Sequence, residues 1–104
     1  MNTQTESTKQ PDHDHDDKFF KIVIRTLAGH NDKETVKPSD VVAAVRDEAV
    51  KEFVKKQWIT AGDYALTLPR LSEAELDPTA TLKDVGVVEG DVLVLVSRKP
   101  QVDG

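Results

Sequence analysis

Apolar positions along this chain fall into separate blocks, and the spacing within each block names the element it forms. From Lys18 to Leu27 the run Lys-Phe-Phe-Lys-Ile-Val-Ile-Arg-Thr-Leu is rich in aromatic and β-branched residues. It sets Phe20, Ile22 and Ile24 on one side, which predicts a strand with a defined inward face. Ala28-Gly29-His30-Asn31-Asp32 supplies residues that tolerate positive φ, and Lys33-Glu34-Thr35-Val36 resumes as a weaker second strand, so the pair reads as a hairpin. Pro38-Ser39-Asp40 stops that strand and offers Ser39 or Asp40 as acceptor for the free amides of a following helix. From Val41 the period changes. Val42, Val45, Ala49 and Phe53 recur at three- and four-residue steps and make one narrow stripe of a helix ending near Gln57.

Trp58-Ile59 either closes that helix or begins the next extended segment. Ala61-Gly62-Asp63 breaks the chain before Tyr64-Ala65-Leu66-Thr67-Leu68 alternates as a strand, which Pro69 ends. Leu71 to Asp84 carries helix-compatible and turn residues, with Asp77-Pro78 as a turn and Thr81-Leu82-Lys83-Asp84 as a short helical turn. Val85 to Asp91 is a tight connection into a confident strand, Val92-Leu93-Val94-Leu95-Val96-Ser97. The order strand, strand, helix, strand, helical turn, strand defines an α+β fold. A mixed four- to five-stranded sheet packs on one main helix, with the first and last strands parallel at its centre. The expected core is Phe20, Ile22, Ile24, Val36, Val42, Val45, Ala49, Phe53, Leu66, Leu82, Val87, Leu93 and Leu95, each large side chain contributing roughly 1.5 to 3 kcal/mol when fully buried.

Composition narrows the picture. A chain of 104 residues and 11.5 kDa with a mean hydropathy of −0.47 holds one small domain rather than two cores flanking a cleft. There is no cysteine, which excludes disulfides, thiolate metal sites and a cysteine nucleophile. No apolar run reaches the roughly 18 residues that cross a bilayer, and the amino terminus lacks the pattern of a signal peptide, so a cytoplasmic protein is expected. Net charge is −5. Glu6, Asp12, Asp14, Asp16 and Asp17 against Lys9 put −4 of it in residues 1–17, leaving the remainder at −1. Residues 1–17 have no aliphatic side chain after Met1 and are read as a disordered acidic tail. Residues 18–98 form the domain, and 99–104 a flexible tail. A balanced body with an acidic tail offers no basic stripe for phosphates, which argues against nucleic acid.

Candidate chemistry within the chain is sparse. His13-Asp14-His15-Asp16-Asp17 contains metal-ligand types, but a solvated acidic leader explains it better because a loose segment must order itself to bind. No metal and no cofactor is expected. His30 lies in a turn, no nucleophile, base and orienting acid share a spacing, and no glycine-rich phosphate loop is present, so the chain is not read as an enzyme.

Two blocks carry a resemblance. Lys21-Ile22-Val23-Ile24-Arg25-Thr26-Leu27-Ala28-Gly29, continuing without a gap to Val36-Lys37-Pro38-Ser39-Asp40, closely resembles the first strand, turn and helix approach of the ubiquitin family. Thr81-Leu82-Lys83-Asp84 through Asp91 to Arg98 is similar to that family's last strand and the segment before it. The middle, roughly Lys51 to Ala80, is longer and only loosely alike, as in bacterial ubiquitin-like modifier proteins. The resemblance implies a β-grasp fold. It also implies a modifier whose terminal glycine is activated as an acyl adenylate, passed to a thioester and joined to a substrate amine. Gly104 would be the acyl donor, and the partners would be activating-like and conjugating-like enzymes, a deconjugating protease and target proteins, the chain itself being a monomer. A side chain at the last residue would obstruct each transfer. Asp103 stands where the family has the first of two glycines, and Pro100 stiffens the segment.

If Leu93 and Leu95 face the helix, period two turns Val92, Val94 and Val96 to the opposite face, beside Val23 and near Leu27. By resemblance, Leu27 and Val96 fall in the family's main recognition patch, with Val94 in place of a histidine between them. Leu27, Val92, Val94, Val96 and Arg98 are therefore the expected partner-binding residues, unless the helix end with Trp58 folds over them. Positions of the family's acceptor lysines hold Arg25, His30, Arg46 and Glu89, none able to attack an acyl carbonyl as an amine. Asp32 and Glu34 sit where the family has inward apolar side chains, which predicts a register shift, bulge or frayed edge in the second strand. Two further readings stay open: a non-conjugated adaptor binding through the valine face, and a sulfur carrier using a terminal thiocarboxylate.

Overall fold

The structure, a computed structural model, describes residues 18–98. Its elements are β1 (Phe20–Thr26), β2 (Asn31–Val36), α1 (Val42–Lys55), β3 (Tyr64–Leu68), β4 (Ser72–Glu75) and β5 (Val92–Ser97). The five strands form one sheet in the order β2-β1-β5-β3-β4. β1 and β5 run parallel at the centre, and the other pairs are antiparallel. α1 lies on one face. Among the described residues, the mixed sheet of five strands on one helix is thus the expected α+β arrangement.

The first hairpin is longer than the sequence suggests, because Asn31 and Asp32 belong to β2 rather than to the turn. Gly29 takes a φ of 101°, and the buried Thr26 hydroxyl accepts the amide of His30. The expected disruption of β2 does not occur. Pairing runs unbroken from Phe20 opposite Val36 to Arg25 opposite Asn31. Asp32 and Glu34 do point to the helix side, where an edge strand leaves them half-buried rather than sealed. There Asp32 reaches Lys56 Nζ at 3.2 Å. Charge pairing and residual solvation replace the distortion.

α1 buries Val42, Val45, Ala49 and Phe53, the stripe read from its period. Its start differs from expectation. The N-cap is Val41, whose side chain makes no cap bond, while Asp40 Oδ2 accepts the Lys37 amide. The first free amides of the helix find backbone partners instead, Val42 donating to Ala80 O and Ala43 to Pro78 O, at 2.8 and 2.9 Å. At the other end, Trp58 N donates to Phe53 O and Gln57 N to Val54 O, a Schellman closure with Gln57 at φ 66°. Trp58 therefore terminates the helix. It stacks on His30 with ring centroids 4.6 Å apart and packs on Phe53.

The segment read as helix-compatible contains β4, a short exposed edge strand of Ser-Glu-Ala-Glu. Its composition disfavours a strand, but Pro69 and Arg70 turn the chain back so that its backbone pairs with β3, with a bulge at Thr67/Leu68. Thr81 to Asp84 does make one helical turn, closed reciprocally by Asp84 N on Thr81 Oγ1 and Thr81 N on Asp84 Oδ2. Every expected core residue is buried except Phe20, which packs half-buried against the cluster. Leu68 joins the core as well.

Candidate functional site

The sheet face away from α1 is the surface that the sequence singles out. Leu93 and Leu95 are buried against the helix, so Val92, Val94 and Val96 turn outward, each half-buried by its neighbours in the sheet. Cross-strand register assembles the face: Val23 lies beside Val92, Arg25 beside Val94, Thr67 beside Val94, and Ala65 beside Val96. Ala65 and Thr67 are themselves buried, because small side chains on a central strand sit below taller neighbours. Leu27 follows β1 with the same parity and is 75% exposed. Among the described residues, no element covers this face. Trp58, the side chain that sequence offered as a cover, is spent on Phe53 and His30 on the helix side.

Arg98 continues the outward parity of β5 but is not free. Its Nε donates to Glu75 Oε1 at 3.0 Å, its guanidinium lies 3.3 Å from Asp63 Oδ2, and its amide donates to Asp63 O. The last described residue is thus tied to the start of β3 and the end of β4. Gly104, the expected acyl donor, lies outside the described residues, as do the histidines and carboxylates of the leader.

Sequence reasoning missed the cations of the face. Lys21, Arg25 and Lys33 share the outward parity of Val23, and a shallow depression of about 560 Å3 is lined by Val23, Arg25, Asn31, Lys33 and Val92 together with Asp32. Arg25 Nε donates to Asn31 Oδ1, and among the described residues none of the three cations forms an ion pair. The signal was present, since the same period two that sorts the valines sorts the lysines.

The opposite side is acidic. A cleft of about 270 Å3 between β2 and α1 is lined by Glu34, Val36, Asp40, Val45 and Glu48 among others. Burial, reinforced by Asp32, Glu52 and Glu48, pushes the Glu34 carboxyl above the usual carboxylate range, and Lys56 only partly opposes this. Near the approach to β5, the buried Asp91 accepts Arg70 through both carboxylate oxygens at 2.8 and 2.9 Å, and also the amide of Val88. The Arg70 hydrogen bond holds Asp91 below its usual range despite its burial. This pair fastens the β3–β4 turn to the loop before β5, which orients the valine row. No group of three or more potential ligands that could hold a metal occurs among the described residues, and no helix there is long and apolar enough to cross a membrane.

No family model matches the chain, and no curated protein does. Among solved structures, a de novo design based on ubiquitin is similar, with a TM-score of 0.63 and 21% identity, over 83% of this chain and 95% of the design. At that identity the likeness concerns the fold, which is the ubiquitin-like β-grasp.

Proposed function

We propose, from this ubiquitin-like β-grasp body, that the chain is a protein modifier: partner enzymes activate the Gly104 carboxylate and join it to amines of target proteins. The observation supporting this reading is the clamp on Arg98, which fixes where the chain leaves the sheet before Lys-Pro-Gln-Val-Asp-Gly. In the first step the carboxylate attacks the α-phosphorus of ATP and expels pyrophosphate. A partner thiolate then displaces AMP, and a target amine finally displaces the thiolate to leave an amide. Glycine leaves the carbonyl open on both sides at every stage. The catalytic groups belong to the partners, so this chain is not the enzyme, and ATP places the reaction in the cytoplasm. Leu27, Val92, Val94 and Val96 form the docking face for those partners, with Arg98 at its rim.

The experiment compares an amino-terminally tagged full chain with the same chain lacking Gly104, each expressed in its native cells. Trypsin cleaves after Arg98 and is blocked at Lys99-Pro100, so a conjugated lysine carries the branch Lys-Pro-Gln-Val-Asp-Gly in mass spectra. That branch should vanish on deletion of Gly104; equal adducts from both chains, or none from either, overturn the proposal. A second reading, a non-conjugated adaptor, is favoured by the uncovered valine row. It predicts that Val94→Asp abolishes capture of partners while deletion of Gly104 leaves capture unchanged.

A further inference from the structure

The two faces of the sheet carry opposite charge. Lys21, Arg25 and Lys33 project from the outer face, whereas Asp32, Glu34, Glu48 and Glu52 crowd the helix side, where Lys56 is already engaged by Asp32 and Glu52. Two carboxylates adjoin the outer cations: Asp32, which borders the depression but pairs with Lys56, and Glu89, which accepts the backbone amide of Lys21 and pairs with none of them. The outer depression is wide and shallow, floored by Val23 and Val92, and among the described residues nothing lies in it. Directly before Lys18, in the segment outside the described residues, the chain carries Asp12, Asp14, Asp16 and Asp17.

We propose that the acidic leader, residues 1–17, is the resident occupant of this cationic outer face, lying over Lys21, Arg25 and Lys33 and shielding the Val23–Val92 floor from other proteins. Charge complementarity selects the face, because the same leader is repelled by the carboxylates of the β2–α1 cleft. Reach permits it. Lys21 and Arg25 are about 13 Å apart along β1, and 17 residues extend to about 56 Å. Lys21 is the cation nearest the junction, four residues beyond Asp17 in the chain. Each exposed ion pair is weak. The covalent tether supplies an effective concentration in the millimolar range, which weak pairs suffice to exploit. The leader has no aliphatic residue after Met1 to press onto the valines, so its hold is electrostatic and yields to salt, or to a partner that brings acidic and apolar groups together.

The test uses the full chain. It contains no cysteine, so Gln10→Cys gives a unique site for a nitroxide label in the leader. At low salt the paramagnetic broadening of the amides of Val23, Arg25, Lys33 and Val92 should exceed that of Glu48 and Glu52 by about threefold or more. It should fall to the common background in 0.5 M salt and in the D12N/D14N/D16N/D17N chain. Broadening shared equally by both faces, centred on the helix, or indifferent to both salt and neutralisation overturns the proposal. So does equal broadening when the label and the isotope are on different molecules, which assigns the face to a second copy.

Discussion

Replacing Glu34 by valine removes a charge that the fold tolerates at a cost. The parity of β2 directs this side chain to the helix side, opposite Ile22 and between Asp32 and Val36. Burial is the first cause of its raised pKa, and Asp32, Glu52 and Glu48 add to it. A carboxyl whose folded pKa lies above its unfolded value of 4.5 takes up its proton more readily in the native state. The native state is therefore penalised once pH exceeds the folded pKa, and the penalty disappears as pH falls below 4.5. Glu34→Gln removes the charge alone; because the group is half exposed and screened, its gain at pH 7 should be a few tenths of a kcal/mol. Glu34→Val also buries apolar surface. Full burial would contribute about 1.5 to 3 kcal/mol, and half burial brings this to about 1 kcal/mol. For a domain of this size that raises Tm by roughly 4 to 8 °C. Thermal unfolding followed by the single Trp58 and by circular dichroism, at pH 7 and pH 3, separates the two contributions. The glutamine gain should vanish at pH 3 and most of the valine gain should remain. A valine variant no more stable than the parent at pH 7, or a glutamine gain undiminished at pH 3, would refute the reasoning.

Asp91→Ala leaves the Val88 amide without its acceptor and the Arg70 guanidinium with the Gly86 carbonyl alone, and should cost about 1 to 2 kcal/mol in urea unfolding at pH 7. Because the folded pKa of Asp91 lies below the ordinary aspartate value of 3.8, this stabilisation is present above that pH and is lost as pH falls through the folded pKa, so parent and variant should converge in strong acid. Gln57→Gly should stabilise by roughly 0.5 to 1 kcal/mol. Relief of about 1 to 2 kcal/mol at a left-handed residue outweighs the added entropy of glycine, and the same unfolding curves read the difference.

Elements with a strong period were legible to the residue. β3 and β5 begin and end where alternation does, and the stripe of Val42, Val45, Ala49 and Phe53 is the buried face of α1. β4 was not legible, since none of its four residues is buried and its pairing is entirely backbone, which leaves no imprint on side-chain choice. The helix start misled for a related reason. Ser39 and Asp40 have the chemistry of a cap, but the carbonyls of Pro78 and Ala80, far away in sequence, reach the free amides of Val42 and Ala43. At the outer face, the valines could be read because a contiguous apolar set is conspicuous. The lysines beside them could not, because alternate charge on a strand resembles ordinary solvation until the register is known.

That register is what divides the charge of the molecule. In β2 the sequence Asn-Asp-Lys-Glu-Thr-Val has almost no net sign, yet period two delivers Asp32 and Glu34 to the helix side and Lys33 to the outer face. A slip of one residue would exchange the two signs and would also expel Val36 from the core, where it sits 4% exposed opposite Phe20. The apolar cost of exposing Val36 therefore enforces the electrostatic pattern. The carboxylates that look like errors on an inward face leave Lys33 as the charged side chain on the outer face of β2, so the cationic character of that face is specified from the other side of the strand.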